Sequence, residues 1–206
     1  MRETGASVTI IDDVNGENIL RHIEQAGRTC YKSNTSEDES DSHLRFVRMI
    51  IKNGHESVLE HEKVSVRIIC DRGVTHEIVR HRLGSYSQES TRYCNYTHDK
   101  FGSEITCITP TFWKDKAELM GAWRNAMEQA EQVYNDMISQ GATPEQARSV
   151  LPNSLKTEIV VTYNLREWRH FLKLRTAKAA HPQMREVALL CLESLRSKIP
   201  VIFEDI

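Results

Sequence analysis

The apolar positions of this chain change period several times, and each change marks an element. SVTIIDDV at 7–14 is an apolar, β-branched run that predicts a first strand. Ile19, Leu20, Ile23 and Ala26 then fall at helical spacing over 16–30, and Leu44, Val47, Ile50 and Ile51 mark a second helix. Asn53-Gly54 supplies that helix with the glycine a C-terminus favours. After a loop from His55 to His61, residues 62–70 alternate as Val64, Val66 and Ile68 with polar partners, the period of a half-buried strand. Residues 73–83 return to helical spacing, and 103–109 predict another strand.

Beyond it, Trp113, Ala117, Met120, Trp123, Met127, Ala130, Val133 and Met137 form one stripe in steps of three, four or seven, which predicts a long amphipathic helix. At these steps a methionine and tryptophan stripe reads as core packing rather than as a cofactor box. Thr143-Pro144-Glu145-Gln146 is a capping box with proline at the first helical position, opening a short helix that carries Arg148 and stops at Leu151-Pro152. LKTEIVVTYN at 155–164 reads as a strand, and 164–176 and 183–197 as helices. Helices and strands mix without strict βαβ alternation, so the expected class is α+β. The expected architecture is a single compact domain over residues 1–206, with a central mixed or antiparallel sheet and flanking helices that include the long amphipathic one. The polar, acidic stretch KSNTSEDESDS at 32–42 is expected to be a mobile loop.

Composition narrows the function classes. A chain of 206 residues, 39% hydrophobic, buries a good-sized core without metals or disulfides. A net charge of −2 argues against a broad basic surface for nucleic acid while leaving room for a local basic pocket, so the expected partners are small anions. The five cysteines (Cys30, Cys70, Cys94, Cys107 and Cys191) are scattered and form no C-x-x-C pair, which suggests neither a disulfide framework nor a zinc ribbon. The N-terminus lacks a signal-type apolar segment and no uncharged stretch approaches membrane-spanning length. The expectation is a cytoplasmic protein that does not enter a membrane.

The candidate chemistry concentrates in RHRLGSYSQESTR at 80–92. Guanidinium forks match phosphate oxygens, and none of Arg80, Arg82 or Arg92 is replaced by the lysine that would solvate a surface equally well. Gly84 to Ser90 have low helix propensity, so a helix is expected to run out into a polar loop able to wrap an anionic ligand. The plainer reading is a helix C-terminus complemented by arginines and followed by a surface loop. No G-x-G-x-x-G or Walker loop is present, so any nucleotide must be held by side chains. HEIVRH at 76–81 resembles a zincin helix, but His76 and His81 are five apart, and HESVLEH at 55–61 is weakly specific; no metal site is expected. Cys94 as a nucleophile is less supported than Cys94 as filler.

The exact pattern of Arg80-His81-Arg82, seven residues, then Ser90 resembles the signature of the flavin-dependent thymidylate synthases. Four further segments agree in order: GHESVLEH at 54–61, GATPEQARSVLP at 141–152, YNLREWRHFLKLR at 163–175 and AHPQMRE at 180–186. The resemblance implies reductive methylation of dUMP to dTMP, with methylenetetrahydrofolate as carbon donor, FAD as redox cofactor and NADPH as reductant, in a homotetramer whose active sites are shared between chains. None of the five cysteines follows a proline, the context of the nucleophile in the cysteine-dependent thymidylate synthases. The uracil must then be activated another way.

Carried over by position, the resemblance implies that Arg80 contacts both nucleotides and that His81 and Arg82 lie on the flavin side. Ser57 matches a flavin contact, and His55 a position near the flavin face and the folate. Asn164, Arg166 and His170 complete the implied FAD clamp, with Gln88 touching both ligands. For dUMP, Gln88, Ser90, Arg92 and Arg148 match phosphate and sugar contacts, with Glu89 near the ribose. Arg175 matches the residue held against the uracil edge, where a fixed cation stabilises charge developing on the ring. Ser90 is read as a ligand contact, since no base adjoins it in the sequence. Glu77 stands where some members carry glutamine and is placed toward the substrate, while His181 and Gln183 are further contacts without an assigned role.

Overall fold

A computed structural model describes residues 1–32, 40–96 and 104–206. Strands β1 (Arg2–Thr4) and β2 (Ser7–Ile10) lead into α1 (Gly16–Tyr31) and α2 (Ser42–Lys52). A 3-10 turn at Glu56–His61 precedes β3 (Lys63–Asp71), α3 (Arg72–Ile78) and β4 (Gly84–Gln88). Then follow β5 (Thr106–Ile108), α4 (Ala117–Ser139), α5 (Pro144–Ala147), β6 (Lys156–Asn164), α6 (Leu165–Arg175), α7 (Pro182–Lys198) and α8 (Pro200–Phe203). The architecture is α+β: a four-stranded sheet ordered β2-β3-β6-β4, antiparallel throughout, and a separate parallel pair of β1 with β5.

The centre of the sheet is the β3–β6 ladder, in register from Lys63 opposite Asn164 to Asp71 opposite Lys156. Both strands bury alternate residues, Val64, Val66, Ile68 and Cys70 on one and Thr157, Ile159, Val161 and Tyr163 on the other. On that face lie the apolar stripes of α1, α2, α6 and α7, through residues such as Ile23, Ile50, Trp168 and Leu195. Each fully buried aliphatic side chain stabilises the fold by about 1.5–3 kcal/mol. Trp168 adds direction, because its indole N–H donates to the Val64 carbonyl at 2.9 Å and so fixes α6 across the start of β3. A second buried cluster lies under α4, where Met120, Trp123, Met127 and Tyr134 pack on Ile105, Cys107 and Leu155.

The long helical stripe is core, as its spacing predicts, with changes at both ends. Trp113 belongs to a 3-10 turn before the helix, Ala117 is exposed, and Tyr134 rather than the 44%-exposed Val133 turns inward. The inward face follows the seven-residue spacing of Met120, Met127 and Tyr134 instead of the three-residue step from Ala130 to Val133. The glycine at the end of α2 behaves as expected: Gly54 has φ 72°, and its N–H and that of His55 close onto the Ile51 and Ile50 carbonyls.

Four expectations are corrected. The first strand stops at Ile10 instead of reaching residue 14, because Asp12 turns its carboxylate onto the Ser65 N–H at 2.6 Å and the chain leaves the sheet. The helix expected over 73–83 ends at Ile78. The polar loop expected after it is the edge strand β4, paired with β6 from Gly84 opposite Tyr163 to Gln88 opposite Ile159. Its residues alternate, with Ser85 and Ser87 exposed and Tyr86 and Gln88 half-buried, and the free edge of β6 satisfies their backbone groups. The strand expected at 103–109 is confined to Thr106–Ile108, residue 103 lying outside the described residues, as do residues 33–39 of the acidic stretch. No described helix is long and apolar enough to cross a membrane.

Candidate active site

The Arg-His-Arg segment lies in the turn between α3 and β4, and two tyrosines hold that turn. The hydroxyls of Tyr86 and Tyr163 are 2.9 Å apart; Tyr163 donates to the Ile78 carbonyl at 3.2 Å and Tyr86 to the His81 carbonyl. Burial raises the pKa of both phenols, so they stay protonated and remain donors. Because the turn is pinned at residues 78 and 81, His81 points inward, 5% exposed, while Arg80 and Arg82 point outward. Neither outward guanidinium has a partner among the described residues, a geometry in which a guanidinium fork can take an anion.

His81 meets α6. Its Nδ1 lies 3.0 Å from Glu167 Oε1, and its Nε2 accepts from Arg175 Nε at 3.2 Å. Arg175, the last residue of α6, also donates through Nη1 to Glu77 Oε2 at 2.7 Å and through Nη2 to the Glu77 carbonyl at 3.3 Å. Three nitrogens of the guanidinium are thereby tied to α3 and the turn behind it. The ring of His81 also stands edge-on to Phe171, with centroids 5.0 Å apart, and 5.5 Å from His170. Burial lowers the His81 pKa below its ordinary 6.5; Glu167 opposes that shift and Arg175 adds to it.

His81, Glu167 and His170 offer ligand atoms within 4.8 Å of one another. Both nitrogens of His81 are, however, already engaged, one by a carboxylate and the other by a guanidinium N–H. A cation bound there would sit against the Arg175 charge, so the cluster is a hydrogen-bond chain rather than a metal site. His76 and His81 do not share a helix, since α3 ends at Ile78. The buried thiols Cys107 and Cys191 are pushed up to about 12 by burial, which leaves them inert as nucleophiles.

At the far end of β4, Gln88 uses its Nε2 within the fold, donating to Thr75 Oγ1 at 3.0 Å and Thr157 Oγ1 at 3.3 Å. Glu89 holds Lys156 at 2.9 Å and accepts from the Tyr96 hydroxyl at 3.0 Å. Ser90 Oγ accepts from the Arg92 N–H at 3.3 Å, and Arg92 pairs with Glu145 at 2.9 Å across two half-exposed side chains. Exposed Arg148 reaches back to Thr91 Oγ1 at 3.5 Å. These contacts bring Ser90, Arg92 and Arg148 to one surface. The Arg92–Glu145 pair there is worth little, so an anion can displace the carboxylate at small cost.

A third group lies around the start of α6. Asn164 caps that helix by accepting from the Glu167 N–H at 2.8 Å, and Arg166 pairs with Glu60 at 2.5 Å on the surface. Ser57, His55 and Arg166 line a pocket of about 410 Å³ together with Gly27 and Cys30. Its described lining contains none of Arg80, Arg82, Arg92, Arg148 or Arg175. A smaller pocket of about 220 Å³ faces Glu77 with His181, Gln183 and Asp71, which places the two residues whose role the sequence leaves unassigned. In donor chemistry the hydroxyl, imidazole and guanidinium groups fit a pyrophosphate-bearing cofactor, and the larger pocket has room for one end of it.

Sequence reasoning brings in the arginines and hydroxyls but misses Glu167, Tyr86 and Tyr163. The one available signal was Asn164-x-x-Glu167, which reads as a helix cap; the asparagine does cap, while the glutamate turns to His81 instead.

Residues 10–201 match the family model described as thymidylate synthase complementing protein. The chain is 39% identical over 164 residues to the flavin-dependent thymidylate synthase of Pyrococcus furiosus, covering 79% of this chain and 65% of that protein. It is 33% identical over 217 aligned positions to that of Corynebacterium efficiens, covering 97% and 84%, and 36% identical over 200 to that of Mycolicibacterium vanbaalenii, covering 89% and 78%. Thus the match spans just under two thirds of the archaeal relative and more than three quarters of the bacterial ones. With the family model matched across nearly the whole chain, this protein belongs to the flavin-dependent thymidylate synthase family.

Proposed function

We propose that this protein methylates dUMP reductively to dTMP, taking the carbon from methylenetetrahydrofolate and the reducing equivalents from NADPH, as a cytoplasmic homotetramer with active sites shared between chains. When bound, FAD supplies the redox chemistry that links NADPH to the substrate. The observation that carries the reading is the guanidinium of Arg175, immobilised by Glu77 and His81 on a family-matched chain. A fixed cation against the uracil edge stabilises negative charge as N3 ionises or C5 becomes nucleophilic, which removes the need for a thiolate.

The other residues take binding roles. Ser90, Arg92 and Arg148 hold the dUMP phosphate and sugar, with Glu77, Gln88 and Glu89 bordering that site. Gln88 and Glu89 do so mainly by fixing the end of β4, since their side chains are engaged within the fold. Arg80 and Arg82 are available for phosphate groups of either nucleotide. Ser57, Asn164, Arg166 and His170 form the clamp at the opening of α6. Because these groups occupy separate surfaces of one chain, a shared site in which neighbouring chains complete the set accounts for their separation.

The test is dTMP formation from dUMP, methylenetetrahydrofolate and NADPH by the FAD-loaded protein. Arg175→Ala is expected to cut kcat by about a hundredfold or more while the flavin remains bound, as loss of a charge-stabilising donor does. Wild-type turnover in that variant refutes the activation role. NADPH oxidation indifferent to dUMP in the wild-type protein refutes the methylation reading in favour of a simple flavin oxidase.

A further inference from the structure

We propose that Glu167 is a positioning residue for the reaction: through His81 it sets the orientation of the Arg175 guanidinium. The inference rests on the proposed function for its kinetic consequence and on geometry for the rest. Arg175 Nε carries a hydrogen, so His81 Nε2, 3.2 Å away, must be its unprotonated acceptor. The ring proton therefore sits on Nδ1 and is donated to Glu167 Oε1 at 3.0 Å. Glu167 is 6% exposed and His81 5%, so no solvent molecule substitutes freely for either contact. The opposite tautomer would place an N–H against the Arg175 N–H and leave an unprotonated nitrogen against a carboxylate, two repulsive contacts in place of two hydrogen bonds.

The arrangement explains why a buried carboxylate stands one turn into α6, where its own helix does not use it as a cap partner. It also makes the chain sensitive to acid at one point. Around His81 the charged and titratable neighbours are Glu167, His170 and Arg175 from α6, Glu77 from α3 through Arg175, Tyr163 from β6 and Tyr86 from β4. Of these, Glu167 is the carboxylate that contacts the ring. Protonation of Nε2 would turn the acceptor of the Arg175 bond into a competing donor and release that edge of the guanidinium.

The direct readout is the tautomer, measured by 15N shifts of the labelled histidine rings in the flavin-loaded wild-type protein at pH 8. One histidine, identified by its loss in His81→Gln, is expected as Nδ1–H with Nε2 unprotonated. Glu167→Gln keeps this tautomer, because an amide oxygen accepts the same proton, and moves the His81 titration to lower pH, because the charge that favours imidazolium is gone. Glu167→Ala admits the Nε2–H form. Kinetically, Glu167→Ala is expected to lower kcat by about tenfold with a smaller change in KM for dUMP, whereas Glu167→Gln stays near wild type at pH 8 and its acid limb moves down. A wild-type His81 in the Nε2–H form overturns the proposal, as does a titration unmoved in Glu167→Gln. Should the wild-type protein form no dTMP, the proposed function fails while the tautomer measurement still decides the geometry.

Discussion

At the residue scale the site is organised by the inward turn of buried His81 and the outward turn of exposed Arg80 and Arg82. The neutral state of His81 has a consequence for stability. Its folded pKa lies below the ordinary 6.5 chiefly because of burial, so the unfolded chain takes up the proton first as pH falls. The contribution is therefore fully present above pH 6.5 and is lost as pH falls through the lower folded value. Urea unfolding of wild type and His81→Gln is expected to show a steeper loss below that pH in the wild type; parallel curves contradict it. What could be read in advance at this scale was chemical identity. Arginines and hydroxyls announce an anionic ligand, but their partners depend on which segments the fold brings together: Arg175 is held by Glu77 and His81. Gln88 illustrates the limit: its sequence gives no sign that its Nε2 donates to Thr75 and Thr157.

At the scale of elements, β4 decides the geometry of the Arg-His-Arg turn. Gly84 opens that strand against Tyr163, and a Cβ there would meet the ring carbons Cδ1 and Cε1 at 2.3 Å and the Thr162 carbonyl at 3.1 Å. Tyr163 is 1% exposed and its hydroxyl holds the turn, so it has little freedom to retreat. Gly84→Ala is expected to destabilise the fold by about 1–3 kcal/mol, as overpacking does, and to loosen the turn; a denaturation midpoint equal to wild type would contradict this. The strands and helices with strong periodicity were legible, including β3, β6, α4 and the capped α5. β4 was not, because a polar strand on a sheet edge lacks both the alternation of apolar residues and β-branched enrichment. The three-residue strand β1 is too short to establish a period, while β5 lies inside the longer strand expected at 103–109.

At the scale of the whole molecule, Arg169 on α6 ties the turn before β3 to the segment after α8. It is 1% exposed and binds Glu56 from the turn before β3, at 3.0 Å, and Asp205 near the C-terminus, at 2.7 Å. The α6 helix is thereby anchored on one side by Arg169 and on the other by Arg175, and the residues offered to ligands lie between and beyond these anchors. The assembly of a full site was only partly visible beforehand: ordered motifs mark its parts, whereas their distribution over separate pockets is a property of the folded chain.

The central claim is that uracil is activated for methylation without a cysteine nucleophile, by a fixed arginine and a bound flavin. It is tested most directly by tritium release from dUMP labelled at uracil C5, in the presence of NADPH and methylenetetrahydrofolate, with FAD-loaded and flavin-stripped protein compared. Release that requires FAD is the predicted result. No release from the FAD-loaded protein would contradict it.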